Sequence, residues 1–125
     1  MPQELRKLQV FVVDDETVIA ATLAMILRHQ GLEARSFDSP LEALNATREI
    51  VPDLLISDVM MPEMSGIELA LKVREYCPEC KVLLFSGQAA TADLLEKARA
   101  DGHDFEVLAK PVHPSDLLAK IRAVT

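Results

Sequence analysis

Apolar residues fall along this chain in five short runs, separated by longer stretches of mixed character. The runs are LQVFVVD (8–14), LEARSF (32–37), DLLIS (53–57), KVLLFS (81–86) and FEVLA (105–109). Their starts lie 21 to 28 residues apart, the length of one strand plus a crossover helix. The first, third and fourth runs are nearly continuous, as strands covered on both faces should be. LEARSF alternates more and suits an edge.

The stretches between the runs carry helical spacing with start and stop signals. The first helix, 16–30, aligns Ile19, Leu23, Ile26 and Leu27, with Gly31 as its C′ residue. The second opens on Ser39-Pro40, a cap followed by proline in the first turn. The third, 65–76, aligns Leu69, Val73 and Tyr76, and Pro78 stops it. The fourth starts near Thr91 and ends at Gly102; the fifth, 114–124, aligns Leu117, Ile121 and Val124. Five strand–helix units in succession predict an α/β fold, a doubly wound five-stranded parallel sheet with helices on both faces. A sheet of this size most often has the strand order 2-1-3-4-5.

Composition narrows the setting. At 125 residues, half of them apolar, the chain reads as a single domain over 1–125, with nothing left over for an output domain. The net charge of -7 argues against direct contact with nucleic acid or an anionic membrane. It does not argue against a cationic partner or a divalent metal. The N-terminal stretch lacks an apolar core and a cleavage site, so no secretory signal is expected. VIAATLAMIL is too short to span a bilayer, so no membrane insertion is expected. Two cysteines do not make a disulfide framework. These features together predict a cytoplasmic protein.

In open α/β sheets, sites form beyond the carboxyl ends of the strands, where the strand order switches. The first run ends on Asp14 and Asp15, the third on Asp58, the fourth on Ser86, and the fifth leads into Lys110-Pro111. Acids also favour helix N-termini, so Asp14 and Asp15 taken alone read equally well as caps of the first helix. Three carboxylates brought to one edge repel one another and are costly to leave desolvated. Mg²⁺, which takes oxygen ligands and keeps water and phosphate oxygens, suits them; the His and Cys favoured by zinc are missing from this set. Metal, lysine and hydroxyl together fit phosphoryl transfer. A carboxylate can itself be the nucleophile. Asp58, alone at its strand end, is the candidate acceptor, with Asp14 and Asp15 better placed for metal.

The acidic pair at 14–15, the segment DVMMPEMSGIEL (58–69), SG at 86–87 and KP at 110–111 resemble the defining motifs of response-regulator receiver domains, chemotaxis-regulator-like, along the whole chain. The resemblance implies the flavodoxin-like fold and phosphorylation of Asp58 by a histidine kinase or histidine phosphotransfer protein. It implies Mg²⁺ held by Asp15 directly, Asp14 through water, Asp58, and the backbone carbonyl of Met60. Lys110 and Ser86 would contact the phosphoryl oxygens, and the 86–110 face would then switch towards an effector that is unknown. The Lys110-Pro111 bond is expected to be cis. Gly66 would supply loop geometry that a Cβ resists. The family usually has an aromatic three residues before the lysine. Here Val107 stands there and Phe105 is displaced, so either that aromatic is absent or Phe105 replaces it through a bulge.

Other readings compete. A flavin mononucleotide carrier of the same fold needs a Ser/Thr/Gly-rich loop where DDETV stands. A dehalogenase-type phosphatase wants a second acid two residues past the nucleophile, where Met60 stands. A scaffold that binds partners without phosphorylation is the nearest alternative. CPEC (77–80) reads as two incidental thiols in a turn rather than a redox or zinc site. His29, His103 and His113 show no metal spacing and read as surface or loop residues. Met60 and Gln88 flank the site, either as loop filler or as residues that govern the approach of water to an acyl phosphate.

Overall fold

The structure, a computed structural model, describes residues 8–87, 91–103, 105–110 and 112–125. Five strands alternate with five helices: β1 (Gln9–Val13), α1 (Thr17–His29), β2 (Glu33–Phe37), α2 (Pro40–Ala46), β3 (Leu54–Asp58), α3 (Gly66–Tyr76), β4 (Lys81–Ser86), α4 (Thr91–Ala100), β5 (Glu106–Ala109) and α5 (Pro114–Val124). The sheet is parallel throughout, in the order β2-β1-β3-β4-β5. This is the architecture expected from the spacing of the apolar runs.

All five residues of β3 are buried, and the inner stretches of β1 and β4 are buried too. β2, at the edge, buries only Ala34 fully. Because side chains alternate along a strand, the sheet feeds two cores. Val10, Val12, Leu54, Ile56, Leu83 and Phe85 face α1 and α5, where they meet Leu27, Leu117 and Ile121. Phe11, Val13, Leu55, Val82 and Leu84 face the other helices, meeting Leu69, Val73 and Ala98. Each fully buried leucine or isoleucine contributes about 1.5–3 kcal/mol relative to exposure.

The helices begin and end for local reasons. Ser39 accepts a hydrogen bond from the Glu42 N–H at the start of α2, and Pro40 follows it. α3 opens with a capping box that the sequence reading passed over: Ser65 accepts from Glu68 N–H while the Glu68 carboxylate accepts from Ser65 N–H. Gly31 sits at φ 90, the left-handed conformation expected just past α1.

Two helical faces differ from expectation. In α1 the fully buried stripe is Ala20, Leu23, Ala24 and Leu27, with Ile19 only partly buried. Alanines at the contact let the helix approach the sheet closely. In α3, Tyr76 is 63% exposed rather than aligned with Leu69 and Val73. Four residues beyond Val73 lies Cys77, not Tyr76, and Cys77 takes the buried position. Cys77 and Cys80 are free thiols at the two ends of a turn, with the Cys80 N–H donating to the Cys77 carbonyl at 3.0 Å, and both are buried in the core.

Among the described residues no bulge lets Phe105 replace the missing aromatic. Glu106 to Ala109 pair with Leu83 to Ser86 in unbroken register. Val107 and Phe105 both pack against the core on the α3 side. Phe105 therefore sits two residues, about 6.6 Å, further from the carboxyl edge than Val107. Its ring lies under the Arg74 guanidinium, 5.0 Å from its centroid, and stacks on His103 at 6.4 Å. His103 is thus a partly buried packing residue, whereas His29 and His113 are exposed.

Candidate functional site

Strand alternation decides what meets at the carboxyl edge. Asp14 continues the face of Val10 and Val12, Asp58 that of Leu54 and Ile56, and Lys110 that of Leu108. All three start from the same side of the sheet and lean over its edge. Ser86 follows Leu84 and starts from the other side, next to α4.

The three acids converge. Asp14, Asp15 and Asp58 can each offer an oxygen within 4.8 Å of the other two. Asp14 is 1% exposed and Asp58 9%, while Asp15 is open to solvent. Lys110 Nζ donates to Asp58 Oδ2 at 3.0 Å and to Asp14 Oδ2 at 3.5 Å. Asp14 Oδ1 also accepts from the Glu16 N–H at 2.9 Å, a turn bond that fixes the carboxylate just ahead of α1. The helix-capping reading is not borne out: Glu16 is the N-cap residue of α1 and no side chain caps it.

Burial holds the Asp14 carboxyl above its ordinary range. The Glu16 N–H and the Lys110 charge oppose that shift, and the Asp58 charge adds to it. Burial pulls the Lys110 ammonium down, but the hydrogen bond to Asp58 and the charges of Asp14 and Asp58 outweigh it and hold it above its ordinary value. A single cation thus serves two buried carboxylates, with a third at 4.8 Å or less.

These residues edge a cavity of about 240 Å³, lined by Asp15, Glu16, Asp58, Met60, Gly87, Thr91 and Lys110. Two of these, Glu16 and Thr91, were not singled out as site residues in the sequence, whereas Gly87 belongs to the SG motif. Gly87 follows Ser86 directly and lets Lys110 pass: a Cβ there would lie 3.2 Å from Lys110 Cβ. Nothing in the motif spacing marks Thr91. The Ser86 hydroxyl is hydrogen-bonded to the Thr91 hydroxyl, and its side chain bonds to neither Asp58 nor Lys110 among the described residues. The Ser86 carbonyl accepts from the Lys110 N–H at 3.1 Å, which ties β4 to the lysine.

Gly66 is required for closeness rather than for its backbone angles. Its φ is not in the left-handed region, which among the described residues only Gly31 and Gly102 occupy. A Cβ at Gly66 would instead collide with the Asp58 carbonyl oxygen. Pro111 and Gln88 lie outside the described residues, so the cis bond and the Gln88 role have no structural test here.

The donor set fits a hard divalent cation. Every candidate ligand is oxygen, two are carboxylates largely withdrawn from water, and the solvent side stays open for water or phosphate. Among the described residues no helix is long and apolar enough to cross a membrane.

Comparison with known proteins agrees with this geometry. A family model described as the response regulator receiver domain matches residues 10–122. The probable transcriptional regulatory protein TcrX of Mycobacterium tuberculosis is 34% identical over 92% of this chain and 48% of its own length. Transcriptional regulatory protein CreB of Escherichia coli is 32% identical over 92% and 49%. The chain therefore spans about half the length of the curated relatives it matches. Among solved structures, chemotaxis protein CheY4 of Vibrio cholerae superposes with a TM-score of 0.84 at 27% identity, over 95% of this chain and 99% of that one. A receiver domain from Clostridium thermocellum gives 0.83 at 28%, over 94% and 93%. An acidic cup with one lysine, at the switch point of a 2-1-3-4-5 sheet, thus coincides with the family match, and the chain belongs to the response regulator receiver domain family, the signalling modules of two-component systems.

Proposed function

We propose that residues 1–125 form one receiver domain that takes a phosphoryl group on Asp58 from the phosphohistidine of a histidine kinase or phosphotransfer protein. The observation that carries the reading is the 3.0 Å bond from Lys110 Nζ to Asp58 Oδ2, with the Asp14 and Asp15 oxygens beside it. A carboxylate oxygen of Asp58 attacks phosphorus. The bond from phosphorus to the imidazole nitrogen breaks, and the electron pair stays with the departing imidazole. Lys110 already lies on the acceptor, so its charge meets the transferred oxygens without a large movement. Asp15, Asp58 and the Met60 carbonyl would hold Mg²⁺ directly, and Asp14 through water, in this reading. Mg²⁺, when bound, would neutralise charge on the carboxylates and on the incoming phosphoryl oxygens.

Val18, 77% exposed on the first turn of α1, and Met60, half-exposed at the rim of the cup, offer apolar contact to such a donor. After transfer, Ser86 turns to the phosphoryl oxygens and the 86–110 face changes its partners. The relatives are named as transcriptional or DNA-binding regulators, but the acidic cup and the charge of -7 suit no direct nucleic-acid contact by this domain.

Incubation with Mg²⁺ and acetyl phosphate, followed by intact-mass measurement, tests the reading. One phosphoryl adduct is expected on the wild type and none on Asp58→Asn. No adduct on the wild type, from this donor or from any of a panel of histidine kinases, points to a phosphorylation-independent scaffold instead.

A further inference from the structure

The hydroxyl expected to move is already engaged elsewhere. Ser86 is the last residue of β4 and starts from the α4 side of the sheet. Its Oγ is bonded to the Thr91 hydroxyl. Thr91 is the first residue of α4, is 1% exposed, and lines the same cavity as Asp58 and Lys110. No aromatic stands at position 107 to follow the hydroxyl's movement, and Phe105 is held further down by Arg74 and His103.

We infer that Thr91 is a positioning residue that holds the Ser86 hydroxyl on the α4 side and thereby sets the threshold for the phosphoryl-bound arrangement. The inference rests on the reading of Asp58 as acceptor. Asp58 projects from the opposite side of the sheet, so Ser86 reaches its phosphoryl group only by changing rotamer. Staggered wells lie about 120° apart, which carries Oγ through roughly 2.4 Å. Thr91 is buried and fixed to the helix, so it cannot follow that far. The Ser86–Thr91 bond is therefore exchanged for one to a phosphoryl oxygen, not kept alongside it. Bonds to charged acceptors are the stronger kind, so the exchange is favourable, but by less than the full value of the new bond. Removing the Thr91 hydroxyl removes what Ser86 must leave.

Beryllofluoride, a phosphoryl mimic, gives an equilibrium measurement. Its affinity in saturating Mg²⁺ is read by titration calorimetry on the wild type, Thr91→Val, Thr91→Ser, Ser86→Ala and the Ser86→Ala/Thr91→Val pair. Thr91→Val, which keeps the side-chain shape, is expected to bind roughly three- to tenfold more tightly, the value of one ordinary hydrogen bond. Thr91→Ser, which keeps the hydroxyl, should match the wild type. In the Ser86→Ala background the valine should have no effect, because there is nothing left to release. Thr91→Ala makes the same comparison if the valine variant fails to fold. Unchanged or weaker binding by Thr91→Val, or an equal gain without Ser86, overturns the inference while leaving Asp58 as acceptor. A wild type that binds no beryllofluoride overturns both.

Discussion

Gly66→Ala is a one-methyl change whose sign depends on a single close approach. Gly66 is the first residue of α3, its backbone is free of left-handed strain, and Ser65 caps it. At a position with room, alanine would stabilise by about 0.4–1 kcal/mol, by restricting the unfolded chain. Here the new Cβ would land on the Asp58 carbonyl oxygen, with Asp58 C and Ser57 Oγ each at 3.0 Å. Relaxed contacts sit at about 3.5–4 Å, so α3 or the end of β3 must shift. Overpacking of this kind costs about 1–3 kcal/mol. The upper end is expected, because the obstacle is the backbone of the central strand and not a flexible side chain. Gly66 N–H also donates to the Val59 carbonyl at 2.8 Å, which joins the helix start to the residue after Asp58 and leaves little slack. A loss of ~3 kcal/mol lowers the melting midpoint by roughly 10 °C in a domain of this size. Because β3 moves with Asp58, Mg²⁺ affinity should also fall, by about tenfold or more, as it does when residues supporting a metal ligand are disturbed. Thermal unfolding by circular dichroism and Mg²⁺ titration measure the two effects. A variant that melts at or above the wild-type temperature and keeps its Mg²⁺ affinity would refute the close-approach argument.

Two other expectations follow from the titrating groups. Lys110 is held above its ordinary value of 10.5, so its contribution to stability is complete below about that pH and is lost as pH rises through its higher folded value. In chelator, the difference in unfolding free energy between wild type and Lys110→Gln should stay constant up to about pH 10.5 and shrink above it; urea titrations across that range would show a flat difference if the ion pair contributes nothing. Burial pushes the Cys77 thiol up, and burial followed by the Cys77 charge pushes Cys80 up to about 12. At neutral pH the Cys80 thiol of the native protein should therefore react with a thiol reagent at least about a hundredfold more slowly than in the unfolded protein, and prompt labelling of Cys80 would contradict its burial.

Much of the molecule was written along the chain. Five apolar runs at regular intervals, divided by amphipathic stretches, carry the strand–helix alternation, and parallel pairing follows because each crossover contains a helix. The acids, hydroxyl and lysine stand at strand ends, and in such a sheet strand ends share one edge. What the chain could not disclose depends on distance rather than on order. Tyr76 and Cys77 are neighbours in sequence, and a rotation of one helical position decides which is buried. The fate of Phe105 turned on whether β5 bulged, and the unbroken pairing of Glu106 to Ala109 with β4 answered it. Gly66 looked like a turn glycine until the Asp58 carbonyl was found beside it. Thr91 belongs to no motif, and only the packing of α4 against β4 brings its hydroxyl to Ser86. Periodicity and strand ends are local properties of a sequence. Contacts between side chains from separate elements exist only once the sheet is closed over by its helices, so those the tertiary structure alone decided.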